Sequence, residues 1–300
     1  MKIIIMACLL ICCSFQPLYA ASNTHFPCLF ESETTKSIFM IGLEYELQEN
    51  MFPDQTERAV EKDSINENRI YTKLRSSVNS YAYAGVKAGF KFKSLPFFYL
   101  TAGYAEAEVD FNFQDTLTDN KYSYRINTTF ESDAFPVYGG GISLQPYKKE
   151  ISENHHLNLG LDLRYRYFDF DVKKRAGSET TEWYDMEYAS KLHEVQLSLV
   201  AAVDGYEWQP FSGLTLKFTP YAGCKVSHFF ADETFSDSGN IVTDEGFKND
   251  PIYYEGDIQE TNHISFFGGV GIGLTKNIIL GLEARTGDED GYACNVSFKF

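Results

Sequence analysis

Three hundred residues carry 26 Lys and Arg against 42 Asp and Glu, a formal charge of −16. That acidity argues against nucleic acid or an anionic lipid surface as a partner, and the length could hold one or two ordinary domains. Of six cysteines, three (Cys8, Cys12, Cys13) lie near the start, and Cys28, Cys224 and Cys294 show no CxxC or Cys/His spacing. Neither a disulfide framework nor a cysteine metal site is therefore expected.

Lys2, the uncharged run Ile3 to Phe15 and Leu18-Tyr19-Ala20 ahead of Ala21 predict a cleaved export signal over residues 1–20. This run of thirteen residues falls short of the roughly 20 that a spanning helix needs. Farther on, the longest uncharged run is Thr261 to Thr275, fifteen residues broken by four glycines. A chain like this crosses a membrane only with strands, because helices and closed barrels alone satisfy every backbone group in lipid.

Alternation of apolar and polar residues predicts ten strands, near 37–48, 80–93, 97–111, 134–146, 156–168, 192–206, 214–228, 262–275, 277–286 and 291–300. Leu157, Leu159, Leu161 and Leu163 against Asn158, Gly160, Asp162 and Arg164 is the clearest stretch. Connections alternate in length. Short ones fall at 94–96, 146–155, 209–213 and 275–277; long polar ones run about 49–79, 112–133, 169–191 and 229–261, and a brief one lies near 287–290. An even strand number with brief turns on one side and long loops on the other is the layout of an outer-membrane barrel.

A soluble barrel or sandwich would alternate equally well, but glycine placement separates the two. On the expected faces, twelve strand glycines share the charged side and four, including Gly103, share the apolar side. The inside of a closed barrel has the least room, so small residues belong there. The charged face is then the lumen and the apolar face meets lipid. Phe90, Phe92, Phe97, Tyr99, Phe298 and Phe300 are expected outward at the periplasmic edge, and Tyr45, Tyr165, Tyr167 and Tyr292 at the outer edge, as interfacial girdles.

From Ile38 to Phe300 the chain resembles the small bacterial outer-membrane β-barrel proteins, on this strand grammar and on the terminal pair Phe298 and Phe300, which the resemblance makes an assembly signal. It implies an all-β fold, a ten-stranded antiparallel transmembrane β-barrel with long extracellular loops and short periplasmic turns. The domains are then a signal peptide over 1–20, an N-terminal periplasmic segment over 21–36 and the barrel over 37–300. Outer-membrane lipid, lipopolysaccharide and the barrel assembly machinery are the implied partners.

On this parity the inward acids are Glu44, Glu46, Glu106, Glu108, Asp110, Asp162, Glu194, Asp204 and Glu283. The inward bases are Lys87, Lys91, Arg164, Arg166, Lys217, Lys225, Arg285 and Lys299. Nine against eight is close to balance, as in a plugged core whose charges pair across strands. Ten strands also enclose little space, open channels belonging to barrels nearer sixteen.

Between Ala231 and Glu260 stand nine acids and a single base, Lys248. A basic or host-surface ligand is the partner class such a loop would suit. It holds no DxDxDG calcium loop, and neither metal nor cofactor is expected. The omptin surface proteases offer a weaker likeness, through Glu106, Glu108 and Asp110 rising toward the second loop and His263 near the end of the fourth. Their Asp-x-Asp is here Glu-x-Glu-x-Asp, and Thr261 stands two residues before His263 where an Asp belongs. No catalytic residue is assigned. The leading expectation is an envelope or surface-recognition role through acidic loops, the alternative a narrow channel, and the third an omptin-like protease.

Overall fold

A computed structural model describes residues 37–49, 57–60, 71–92, 95–116, 123–177, 183–237, 240–243, 246–249 and 252–300. The expected leader, the segment 21–36, the side chain of Asp110 and those of the acidic stretch 231–260 lie outside what it describes.

The ten expected strands are present as one closed antiparallel meander. They are β1 (Ile38–Glu49), β2 (Tyr71–Lys91), β3 (Phe97–Thr116), β4 (Phe135–Ser152) and β5 (His155–Gly177), then β6 (Trp183–Asp204), β7 (Leu214–Asp237), β8 (Ile252–Gly273), β9 (Ile278–Gly287) and β10 (Asp290–Lys299). Each pairs with its neighbour in sequence, and β1 pairs with β10 to close the ring. At the seam Phe39 N–H donates to the Phe300 carbonyl at 3.3 Å and Phe300 N–H returns to the Phe39 carbonyl at 2.9 Å. Closure removes both sheet edges, which is the condition for a sheet to stand in lipid.

The sequence alternation becomes two surfaces. In β1, Ile38, Met40, Gly42, Glu44, Glu46 and Gln48 are buried, while Phe39, Ile41, Leu43 and Tyr45 are exposed. The same holds around the ring: Leu163, Leu197, Leu199, Val226, Ile264 and Phe266 stand on the outer wall. Leu163 lies opposite Leu197, and Leu197 opposite Val226. Such an apolar row outside and a charged row inside inverts a water-soluble barrel.

The connections differ from expectation on the far side. Residues 169–191 are mostly ladder rather than loop, paired from Asp169 with Lys191 to Gly177 with Trp183. Likewise β7 continues to Asp237 against Ile252 of β8, and Ser123–Glu131 pairs back on the upper half of β3. Polar composition ends the expected strands too early. Once nucleated, a hairpin keeps its backbone groups paired beyond the lipid, because a ladder satisfies them whatever the side chains are.

Candidate functional site in the barrel interior

The interior is layered. Its floor, at the end where β1 begins and β10 stops, holds Ile38, Met40, Phe97 and Tyr99 on one side and Val200, Ala202, Tyr221 and Phe267 on the other. Rings fill this floor because glycines on the next strand make room for them. A Cβ at Gly141 would collide with the Tyr99 ring and one at Gly223 with the Phe267 ring. Inward glycine covered by a cross-strand aromatic is a recognised way to curve a barrel without leaving a void.

Above the floor comes an ionic layer. Among the described residues, Glu44, Glu46, Asp162, Glu194, Glu283 and Glu289 are buried with Lys87, Lys91, Arg164, Arg166, Lys225 and Arg285, six of each sign. Glu46 is the hub, since its carboxylate lies 2.8 Å from Arg285 Nη1, 3.1 Å from Arg166 Nη1 and 4.0 Å from Arg164 Nη1. Two of these arginines are shared with a second acid. Arg166 Nε donates to Glu194 Oε2 at 2.5 Å, Arg285 Nε to Glu283 Oε1 at 2.9 Å, and Ser227 Oγ to Glu194 Oε1 at 2.8 Å. Lower down, Glu44 lies 3.3 Å from Lys87 Nζ, which sits 3.9 Å above the Tyr99 ring. Asp162 there accepts from Tyr99 Oη at 2.9 Å and from Ser143 Oγ.

A ceiling closes the layer from the other side. On β5 the residue after Arg166 with inward parity is Phe168; on β7 Phe229 follows Ser227. Tyr81 meets Phe168 edge-on at 5.8 Å, the Arg166 guanidinium lies 5.2 Å from the Phe168 ring, and Phe229 meets His263 edge-on at 5.2 Å. Leu192, Phe135 and Val137 are buried at the same height. Arg166 and Glu194 expose 0% of their surface and Glu46 and Arg164 1%, so the centre of the layer is shielded on all sides by the residues around it.

Most of the expected lumen charges, Glu44, Glu46, Lys87, Lys91, Asp162, Arg164, Arg166, Glu194, Lys225, Glu283 and Arg285, therefore sit together in the middle. Asp204, Lys217 and Lys299 keep the inward parity but stand at the lower rim. Asp204 lies 3.0 Å from His156 Nδ1 and 3.7 Å from Lys148 Nζ, and the exposed Lys217 lies 2.9 Å from Glu207. Two expectations are corrected. Glu106 is exposed and Glu108 shares its outward parity, because Phe97, Tyr99, Thr101, Ala105 and Ala107 take the inside of β3. Phe97 and Tyr99 accordingly leave the periplasmic girdle for the floor, and Gly103 turns inward. Replacing Glu106 or Glu108 by glutamine should leave stability, read from the urea midpoint, unchanged to within about 0.5 kcal/mol.

Sequence reasoning missed Glu289, Gln48 and Gln196. Glu289 lies in the brief last connection, yet it is buried, ion-paired with Lys225 and 3.5 Å from Arg285 Nη1. Gly287, at φ +130°, turns the chain, and Asp288 Oδ2 accepts the Ile264 N–H at 2.7 Å, so the turn folds back over the lumen. Gln48 links the two acids, its Nε2 donating to Glu46 Oε1 at 2.6 Å and to Glu289 Oε2 at 3.3 Å. His193 and His228 face outward, bound to Tyr165 Oη at 2.7 Å and Asn262 Oδ1 at 2.9 Å, and neither joins the inward His263.

A closed sheet with greasy side chains outside and paired charges inside decides the class. The architecture is that of a small outer-membrane β-barrel. No protein-family model matches the chain, and no curated protein does. Among solved structures it is similar to the outer membrane protease OmpT from Escherichia coli, with 11% identity over 90% of this chain and 99% of that one and a TM-score of 0.46. It is also similar to the siderophore receptor PiuA from Acinetobacter baumannii, at 10% identity, 85% and 43% coverage and a TM-score of 0.27. The transport unit of the autotransporter AIDA-I from Escherichia coli gives 12% identity, 90% and 92% coverage and a TM-score of 0.24.

Proposed function

We propose that this protein is an integral barrel of the outer membrane with a shut bore, acting at its surface in envelope structure or in recognition of a ligand. The buried, ion-paired layer around Glu46 is the observation that carries the reading. A permeating ion would have to part Glu46 from three guanidiniums and pass an aromatic ring on either side. Burying ions in a low-dielectric interior is tolerable only when each is paired and hydrogen-bonded, and transport would undo that pairing at every step. Lipopolysaccharide, the assembly machinery acting on Phe298 and Phe300, and a basic or host-surface ligand for the acidic stretch belong to this proposal as partners. The protease reading loses its geometric basis, since the glutamates that would hold a water face outward from β3 while His263 faces inward.

Refolded protein added to a planar bilayer should give no discrete conductance steps, even at loads where a porin control saturates the membrane. Reproducible unitary steps, lost on heat denaturation, would replace the closed-barrel reading by the channel.

A further inference from the structure

Below the floor, the barrel wall does not end evenly. β1, β2, β3 and β10 stop at Ile38, Lys91, Phe97 and Lys299, whereas β4 and β5 continue together as far as Ser152 and His155. Beside them Tyr206–Phe211 folds back on the foot of β7. The two hairpins touch: the His155 ring meets the Tyr206 ring edge-on at 4.6 Å, and Asp204 Oδ1 accepts the His156 N–H at 3.0 Å. They make a flap hanging from one flank of the barrel.

This flap has two faces, and each continues a face of the wall above it. Toward the axis lie Lys148, His156, Asp204, Glu207 and Lys217, with Lys148 ion-paired to Asp204 at 3.7 Å, Lys217 to Glu207 at 2.9 Å, and His156 Nδ1 hydrogen-bonded to Asp204 at 3.0 Å. Outward lie Tyr147 opposite Leu159, Tyr206 opposite Phe218, and Trp208 opposite Leu216. These outer residues are left uncovered, with Tyr206 exposed by 46%, Trp208 by 57% and Phe211 by 73%. A soluble appendage would not turn its aromatics away from its own ion pairs and into water, since large exposed apolar patches mark a contact surface.

We propose that the flap lies in the periplasmic leaflet, with Tyr206, Trp208 and Phe211 seated among phospholipid headgroups and the upper acyl chains. The inference rests on the reading of the wall as lipid-facing. Two features commit the occupant to lipid. The apolar face of β5 and β6 runs in one register down to His156 opposite Asp204, and across bulges at Leu144/Tyr147 and Leu214/Leu216 the outward side of the flap continues it with Tyr147, Tyr206 and Trp208. It also ends in groups suited to a bilayer boundary: tyrosine and tryptophan prefer the headgroup level, and Lys149, outward opposite Leu157, has a stem long enough to carry its ammonium from the apolar face to the phosphates. The lipid belt thus dips farther on the flank of β4 to β7 than on that of β10 to β3, and the barrel axis leans to accommodate it.

Trp208 reports on this directly, because the chain has two tryptophans and W183F leaves it alone. The W183F protein is refolded into phosphatidylcholine vesicles brominated either high or low on the acyl chain, with iodide as the aqueous quencher. Expected is loss of most Trp208 emission to the shallow bromines, less to the deep ones and little to iodide. Free quenching by iodide with neither brominated lipid having any effect would overturn the proposal. A reference carrying W183F, W208F and Leu197→Trp separates the two readings. Deep quenching of that reference beside an iodide-accessible Trp208 removes the flap proposal alone; a reference untouched by either lipid removes the lipid-facing wall and the flap with it.

Discussion

Replacing Glu46 by leucine is expected to cost the folded barrel about 3–5 kcal/mol, the usual result of removing one partner from a buried ionic group. The carboxylate serves Arg166 and Arg285 at hydrogen-bonding distance and Arg164 at 4.0 Å. Leucine fills similar volume but answers none of these donors. Arg166 keeps Glu194 and Arg285 keeps Glu283, yet the layer then holds one positive charge in excess inside a wall of lipid and aromatic rings. Urea unfolding in detergent micelles, followed by tryptophan emission, reads the effect. Glu46→Gln should lose less, because it retains an acceptor. Adding Arg164→Leu to Glu46→Leu should recover part of the loss, because the excess charge goes with it. An unchanged midpoint in Glu46→Leu would mean that the layer is wet and that the closed-bore reading is wrong.

How far the sequence leads is clearest on β3. Its expected parity rests on Glu106 and Glu108, on the rule that charges go inside. The structure follows volume instead: Thr101, Gly103, Ala105 and Ala107 take the inside and Leu100, Tyr104 and Glu106 the outside. On other strands the two rules agree, as in Gly139 and Gly141 beside Arg166 and Arg164. Where they disagree, room decides near the axis, because an extra side chain cannot be accommodated there, whereas a glutamate outside needs only to stand high enough to reach headgroups or water. The small residues of β3 are the signal, and charge outvotes them in a reading by alternation.

The ionic layer is legible in the sequence as a set of residues and not as a shape. Period-two alternation assigns Glu46, Arg166 and Arg285 to one face, but nothing in it brings β1, β5 and β9 to a single point; that depends on the stagger with which the strands close. Glu289 cannot be found at all by alternation, since it stands in a turn whose direction is set by Gly287. The sequence also offers no sign of a ceiling, because Phe168 and Phe229 stand next to the polar stretches that read as loops.

Leu197→Arg tests the inside-out assignment itself, and it should destabilise the barrel in bilayers by about 2–4 kcal/mol, the range for arginine near the midplane of a lipid-facing wall. Leu197 is 53% exposed, between Leu163 and Val226 in the ladder, and its chain neighbours Gln196 and Ser198 are buried. A soluble barrel would make the opposite forecast: an arginine on an exposed site surrounded by water moves stability by no more than about 0.5 kcal/mol. The two outcomes differ by enough to be read from reversible unfolding in vesicles, with Leu197→Ala as the control for lost apolar contact. Moving the same charge to the rim, as Tyr165→Arg, should cost much less, because the penalty falls toward the interface. A depth-dependent loss across the two positions is what a lipid bath imposes and what water cannot, so the pair separates the membrane wall from an unusually greasy surface even if each absolute value shifts with the lipid chosen.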